Sequence, residues 1–152
     1  MAFYLFNFST TQATQARPLR EQAAELLRAG VWGIDPGTPH RDALSPGDLV
    51  LVYVAAPERV FIGRAELASA VQVLTSTETH AYRGDLRSGV VLSPVEEWDP
   101  PVPMETVLAR IDPAENAKAD FPVGVVRITP HEYETAVAVA AQRGKGCSRN
   151  PA

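Results

Sequence analysis

The run Leu49-Val50-Leu51-Val52-Tyr53-Val54-Ala55, launched by the turn Ser45-Pro46-Gly47-Asp48, constrains this chain more than any other segment. An unbroken apolar run of strand length bounded by a Pro-Gly turn reads as a buried strand at the centre of a sheet. Ahead of it stands Gly30-Val31-Trp32-Gly33-Ile34, a tryptophan bracketed by glycines. Indole is a large stacking surface, and flanking glycines let another flat group approach the backbone closely. The pair of features points to a pocket for a planar ligand beside a central strand.

The remaining segments build a small mixed sheet around that strand. Residues 2–8 are apolar or aromatic at nearly every position, as in a strand covered on both faces. Arg17 to Ala29 carries Leu19, Ala23, Leu26 and Leu27 at helical spacing and stops at Gly30, which predicts an amphipathic helix. Arg59 to Leu67 predicts a hairpin partner with a bulge or close approach at Gly63, continued by Ala68 to Leu74. Residues 75–88 predict a polar loop, Gly89 to Trp98 another strand, and Pro103 the entry to a short helix over Met104–Ile111. Val123–Ile128 reads as the last strand. Thr129, Pro130 and Glu132 then mark the start of a helix running to about Gln142. The expected architecture is α+β, a mixed β-barrel of five or six strands with flanking helices. Residues 1–143 form a single domain and 144–152 a flexible tail.

Composition narrows the function classes. A chain of 152 residues can bury roughly 68–70% of its unfolded surface as one domain. The lone Cys147 allows no internal disulfide and suits a reducing cytoplasm. No stretch of about 18 apolar residues predicts a membrane helix, and the apolar start lacks the basic leader of a signal peptide. The formal net charge of −4 argues against coating nucleic acid through bulk electrostatics, though it allows a local basic patch beside a base-sized pocket. Neither a phosphate loop nor a dinucleotide fingerprint occurs. His40, His80 and His131 are far apart, so no zinc spacing exists and no cofactor is expected. Ser45, His80 and Asp85 could be named as a triad only because any chain this long offers such triples, and the expectation is a protein that is not an enzyme.

Three segments, Gly30 to Ile34, Leu44 to Val54 and Phe61 to Leu67, together with Phe121 to Thr129 and Glu132-Tyr133, resemble EVE domains of the PUA-like superfamily. The order of tryptophan, Pro-Gly-Asp turn, apolar strand and Gly-x-Ala-Glu strand is also similar to YTH domains. The resemblance implies a PUA-like barrel that accommodates a flipped, modified base, with modified cytosine in DNA favoured and methylated RNA as the relative's case. It implies a bacterial setting beside a nuclease or other defence-system protein, with DNA or RNA as the partner. Trp32 matches the aromatic cage residue, with Gly33 beside it, and Asn7 a polar position that can meet a base edge. An Arg-Trp pair that many EVE proteins carry before the last strand is replaced here by Ala114-Glu115-Asn116-Ala117-Lys118, which leaves Trp98, Phe121 and Tyr82 as candidates for the second wall. Arg64, Arg83 and Arg87 are the candidates for phosphate contacts.

Each candidate has a plainer structural use: Trp32 as a core residue, Asn7 as a strand-end cap, Trp98 packed on the proline run, the arginines as solvated charges. The alternative functions are a binder of a free nucleobase, nucleoside or other planar metabolite, and, further off, a hydrolase.

Overall fold

The computed structural model describes residues 1–8, 18–34, 40–55, 58–74, 88–111 and 124–148. Its elements are β1 (Phe3–Phe8), α1 (Leu19–Ala29), β2 (Val31–Gly33), a 3₁₀ turn at Arg41–Ala43, β3 (Leu49–Val54) and β4 (Val60–Leu67). There follow β5 (Gln72–Val73), β6 (Ser88–Pro103), α2 (Met104–Ile111), β7 (Gly124–Ile128) and α3 (Pro130–Ser148). The strands form one mixed sheet in the order β2-β6-β4-β3-β1-β7, with β5 paired to β6, and the sheet curls into a half-barrel. β1 and β3 are parallel, and the other pairs are antiparallel. A parallel pair needs a long crossover, and α1 lies within it.

The central strands are apolar throughout because both of their faces are covered. Tyr4, Phe6 and Phe8 alternate with Leu5 along β1, and the two sets enter different cores. The first core takes Val50, Val52 and Val54 of β3, Trp32 of β2 and the buried stripe Ala23, Ala24, Leu26, Leu27 of α1. The second takes Leu51 and Tyr53 of β3, Met104, Val107 and Leu108 of α2, and Tyr133, Ala136, Val139 and Ala140 of α3. At about 1.5–3 kcal/mol per fully buried large side chain, these two layers supply most of the driving force for the fold.

The Ser45-Pro46-Gly47-Asp48 turn fastens the start of the sheet. Asp48 is 5% exposed, and its Oδ1 accepts the Ala2 amide at 3.0 Å while Oδ2 accepts the Ser45 amide at 3.0 Å. The Gly47 amide donates to the Leu67 carbonyl and the Leu67 amide to the Asp48 carbonyl, both at 2.8 Å, so one turn ties β1, β3 and β4 together. At Gly63 a Cβ would run into the Glu96 carbonyl oxygen and lie 2.6 Å from Leu27 Cδ2, the close approach expected there. The ladder between β3 and β4 shifts between Val52 and Tyr53, which leaves Ile62 of β4 as the extra residue. At the start of α3, Thr129 and Glu132 exchange hydrogen bonds of 2.8 and 3.0 Å, a reciprocal capping box.

Four expectations are corrected. The described residues contain seven strands, where five or six were expected. Ala68 to Leu74 does not extend β4; it bends away and supplies the separate strand β5. β6 does not end at Trp98 but runs through the proline cluster to Pro103. It can do so because Pro94, Pro100 and Pro101 fall between paired positions, in breaks that set Ala65–Val95 off from Leu67–Leu92 and Gly63–Glu97 off from Phe61–Val102. A residue without an N–H costs no ladder bond where the ladder is interrupted. Finally, α3 continues past Gln142 and through Gly144 to Ser148, since extending a nucleated helix adds a hydrogen bond for each residue fixed. Only 149–152 of the expected tail lie outside the described residues.

Candidate nucleic-acid interface

Trp32 sits at the middle of β2, which pairs antiparallel with β6 so that Trp32 faces Val90 and Gly33 faces Gly89. Its side chain is 2% exposed. The indole lies 5.6 Å from the Phe6 ring at an interplanar angle of 35°, and 5.8 Å from the Phe8 ring edge-on at 76°. Tyr4 continues the same face of β1, so Tyr4, Phe6, Phe8 and Trp32 make one aromatic layer beneath α1.

The glycines that bracket Trp32 have structural tasks. Gly30 ends α1 in the left-handed region, at φ 76°, and its amide donates to the carbonyls of Leu26 and Leu27. Gly33 lies opposite Gly89, where a Cβ would strike the Trp32 carbonyl oxygen and come within 3.1 Å of the Gly33 Cα. At Gly30 a Cβ would also meet the Leu92 carbonyl oxygen at 2.8 Å, so that side of Trp32 is filled by the helix cap and β6. Gly33 itself remains partly exposed.

Among the described residues, the candidates Asn7, Trp98 and Arg64 do not gather around Trp32. Asn7 is 1% exposed, but strand alternation puts it on the Leu5 face, across the sheet from Phe6, Phe8 and Trp32. Trp98 is 9% exposed and packs in the core beneath α2 and α3. Its Nε1–H donates to Glu96 Oε1 at 2.9 Å, and the Arg64 Nε donates to the same oxygen at 2.8 Å. Arg64 is thus held in an ion pair, while burial pushes the nearby Tyr133 phenol up and the Arg64 charge partly offsets this. Phe121, Tyr82, Arg83 and Arg87 lie outside the described residues.

A cleft of about 230 Å³ opens between α1 and the Trp98–Pro101 bulge of β6, lined by Arg20, Arg28, Glu97, Asp99 and the Trp98 edge among others. Arg28 grips Glu97 through two bonds of 2.7 and 2.8 Å, which hold the Glu97 carboxyl below the usual carboxylate range.

Sequence reasoning missed one grouping. Arg127 of β7 stands opposite Tyr4 of β1 and places its guanidinium carbon 6.0 Å from the centre of the Tyr4 ring. The His40 ring packs on the same tyrosine at 6.0 Å. Burial and the Asp48 charge push the Tyr4 phenol up, with Arg127 opposing them. Strand register alone brings Arg127 to Tyr4, and nothing local in either segment signals it. Among the described residues, no group of three His, Cys, Asp or Glu could hold a metal ion, and no helix is long and apolar enough to cross a membrane.

A curled mixed sheet with a parallel β1–β3 pair, an aromatic layer under α1 and two further helices on the opposite face make an α+β fold of the PUA-like kind. Solved structures share this fold over nearly their whole length. Human THYN1, in a complex with DNA containing 5-methylcytosine, matches with a TM-score of 0.60 over 92% of this chain and 98% of that one, at 11% identity. ASCH from Zymomonas mobilis matches at a TM-score of 0.58 and 13% identity, covering 91% and 95%. Protein Atu2648 from Agrobacterium tumefaciens matches at 0.59 and 17% identity, covering 92% and 93%. Identities this low show a common fold. No family model matches the chain, and no curated protein does.

Proposed function

We propose that this protein is a non-enzymatic nucleic-acid-binding module that accepts a flipped, modified base, with modified cytosine in DNA favoured. The observation that carries the reading is the likeness along nearly the whole chain to human THYN1 bound to 5-methylcytosine DNA. In this reading the base stacks on an aromatic wall, which returns about 1–3 kcal/mol per base against the few kcal/mol that extrusion costs.

In this reading the base enters beside Gly33, the partly exposed member of β2, and stacks on the Trp32 side of the sheet. Tyr82 and Phe121 are proposed as further walls, and Arg83 and Arg87 as phosphate contacts. Asn7, Trp98 and Arg64 lie on the other face or are engaged in its interactions, so in this reading they support the fold beneath α2 and α3 rather than the pocket. Cytoplasmic residence and a nuclease or other defence protein as partner belong to the same proposal.

The test is binding of otherwise identical duplexes with and without 5-methylcytosine, followed by fluorescence anisotropy at several salt concentrations. Preference for the modified duplex with steep salt dependence is the expected result. Equal binding of both duplexes refutes the modified-base reading. Binding of free nucleosides with no salt-dependent oligonucleotide binding favours the metabolite alternative.

A further inference from the structure

Beyond the base pocket, the geometry points to a seat for one backbone phosphate formed by Arg127 and His40 over Tyr4, at the end of the aromatic layer that leads to Trp32. This inference rests on the nucleic-acid reading above and assigns to it a contact on residues away from the candidate phosphate arginines 64, 83 and 87.

Three observations carry it. First, Arg127 and His40 converge on one ring. Both rest 6.0 Å from the Tyr4 centroid and both are exposed, while Tyr4 itself is 1% exposed. His40 is held at that rim by a left-handed backbone, φ 62°, at the entry to the 3₁₀ turn. Secondly, Arg127 makes no ion pair with a carboxylate among the described residues, whereas Arg28 and Arg64 each grip one at 2.7–2.8 Å. Asp48, whose charge reaches Tyr4, has its two oxygens engaged by the Ala2 and Ser45 amides. Thirdly, the next residue along the turn, Arg41, has a buried Nε with no acceptor among the described residues. Arg41 also lies 3.9 Å from Asp42 through Nη1, so the convergence of Arg127 and His40 on Tyr4 is what carries the seat for an oxyanion.

The chemistry favours phosphate. A guanidinium parked on an aromatic face keeps its planar fork available and is weakly hydrated, which suits bidentate contact with phosphate oxygens. The spacing also fits. Tyr4 and Phe6 are one pleat repeat apart, roughly 6.6 Å, and Phe6 touches Trp32 at 5.6 Å. The seat therefore lies on the order of 15 Å from the Trp32 ring, a few nucleotides along a strand that carries a charge every ~3.4 Å of its axis. Such a contact positions the strand without reading its sequence. It also lets a chain with a net charge of −4 hold nucleic acid through placed rather than bulk charge.

The experiment measures affinity for 5-methylcytosine duplex against salt for the full chain and for Arg127→Gln, Arg127→Lys and Arg110→Gln. Arg110, near the end of α2 on the opposite side of the sheet, is the control. Arg127→Gln is expected to weaken binding about five- to tenfold near 0.1 M salt and to lower the slope of log K against log salt by about 1. Arg127→Lys, which keeps the charge, is expected to retain the slope, and Arg110→Gln both slope and affinity. If Arg127→Gln binds as the parent does, or if Arg110→Gln costs as much, the seat is overturned while the nucleic-acid reading stands. If Arg127→Gln fails to fold, a lysine variant that folds but loses the slope also overturns it. If the parent chain binds no duplex, the functional reading itself fails.

Discussion

Replacing Trp32 separates its work in the core from its work on a base. The ring is 2% exposed and packed between Phe6 and Phe8, so Trp32→Ala leaves a cavity lined by two aromatic rings. Truncations of this size cost about 3–5 kcal/mol, a figure that takes in the two ring contacts, worth ~0.5–1.5 kcal/mol each. For a domain of this length each kcal/mol moves the melting point by roughly 2–4 °C, so a fall of about 6–20 °C is expected. Against a typical total stability of ~5–15 kcal/mol, such a variant stays folded only in part of that range, and its loss of binding would be ambiguous. Trp32→Phe resolves this. It keeps an aromatic filler, costs roughly half as much, and removes the larger stacking surface. Urea unfolding, followed through the remaining Trp98, gives the stability change, and anisotropy with 5-methylcytosine duplex gives the affinity. The expectation is a folded Trp32→Phe that binds roughly 5- to 100-fold more weakly, within the 1–3 kcal/mol that a stacked base contributes. If Trp32→Ala shifts stability by less than about 1 kcal/mol, the core assignment is refuted. If Trp32→Phe folds and binds like the parent, the stacking role is refuted.

Asp48→Ala orphans two backbone donors, those of Ala2 and Ser45, and is expected to cost about 2–4 kcal/mol by urea unfolding; a change below ~0.5 kcal/mol would mean the turn is held by something else. Gly63→Ala forces a methyl against the Glu96 carbonyl and Leu27, with an expected loss of at least about 1–3 kcal/mol, and a neutral result would show that β6 can move aside. Glu97 has its carboxyl held low by its bonds to Arg28, so its contribution is present above the ordinary glutamate value of about 4.3 and is lost as pH falls below it. Glu97→Gln should accordingly flatten the stability profile below about pH 4.3 and leave its shape at pH 7 unchanged, and a profile identical to the parent's at low pH would remove the pair from the account.

What could be read in the sequence was whatever local chemistry decides. The bounds of β3 and α2 and the capping box at Thr129 follow from apolar runs, Pro103 and a Thr-to-Glu spacing, each complete within a few residues. The long strand β6 was not legible, because prolines argue against a strand unless they fall in breaks of the ladder. Those breaks are set by the register against β4, a partner some thirty residues away. The same limit governs the candidate site. A tryptophan between glycines reads as an opening for a ligand, yet Gly30 is required by a helix cap, and Gly33 pairs with Gly89, the residue at which a Cβ would strike the Trp32 carbonyl. Those partners are tertiary, and they turn the evidence from the glycines toward packing. Arg127 shows the converse. In sequence it is one charge in an apolar strand, and only pairing with β1 sets it over Tyr4 beside His40. In an acidic chain the position that register gives a cation such as Arg127 matters more to a proposed phosphate contact than the number of arginines does.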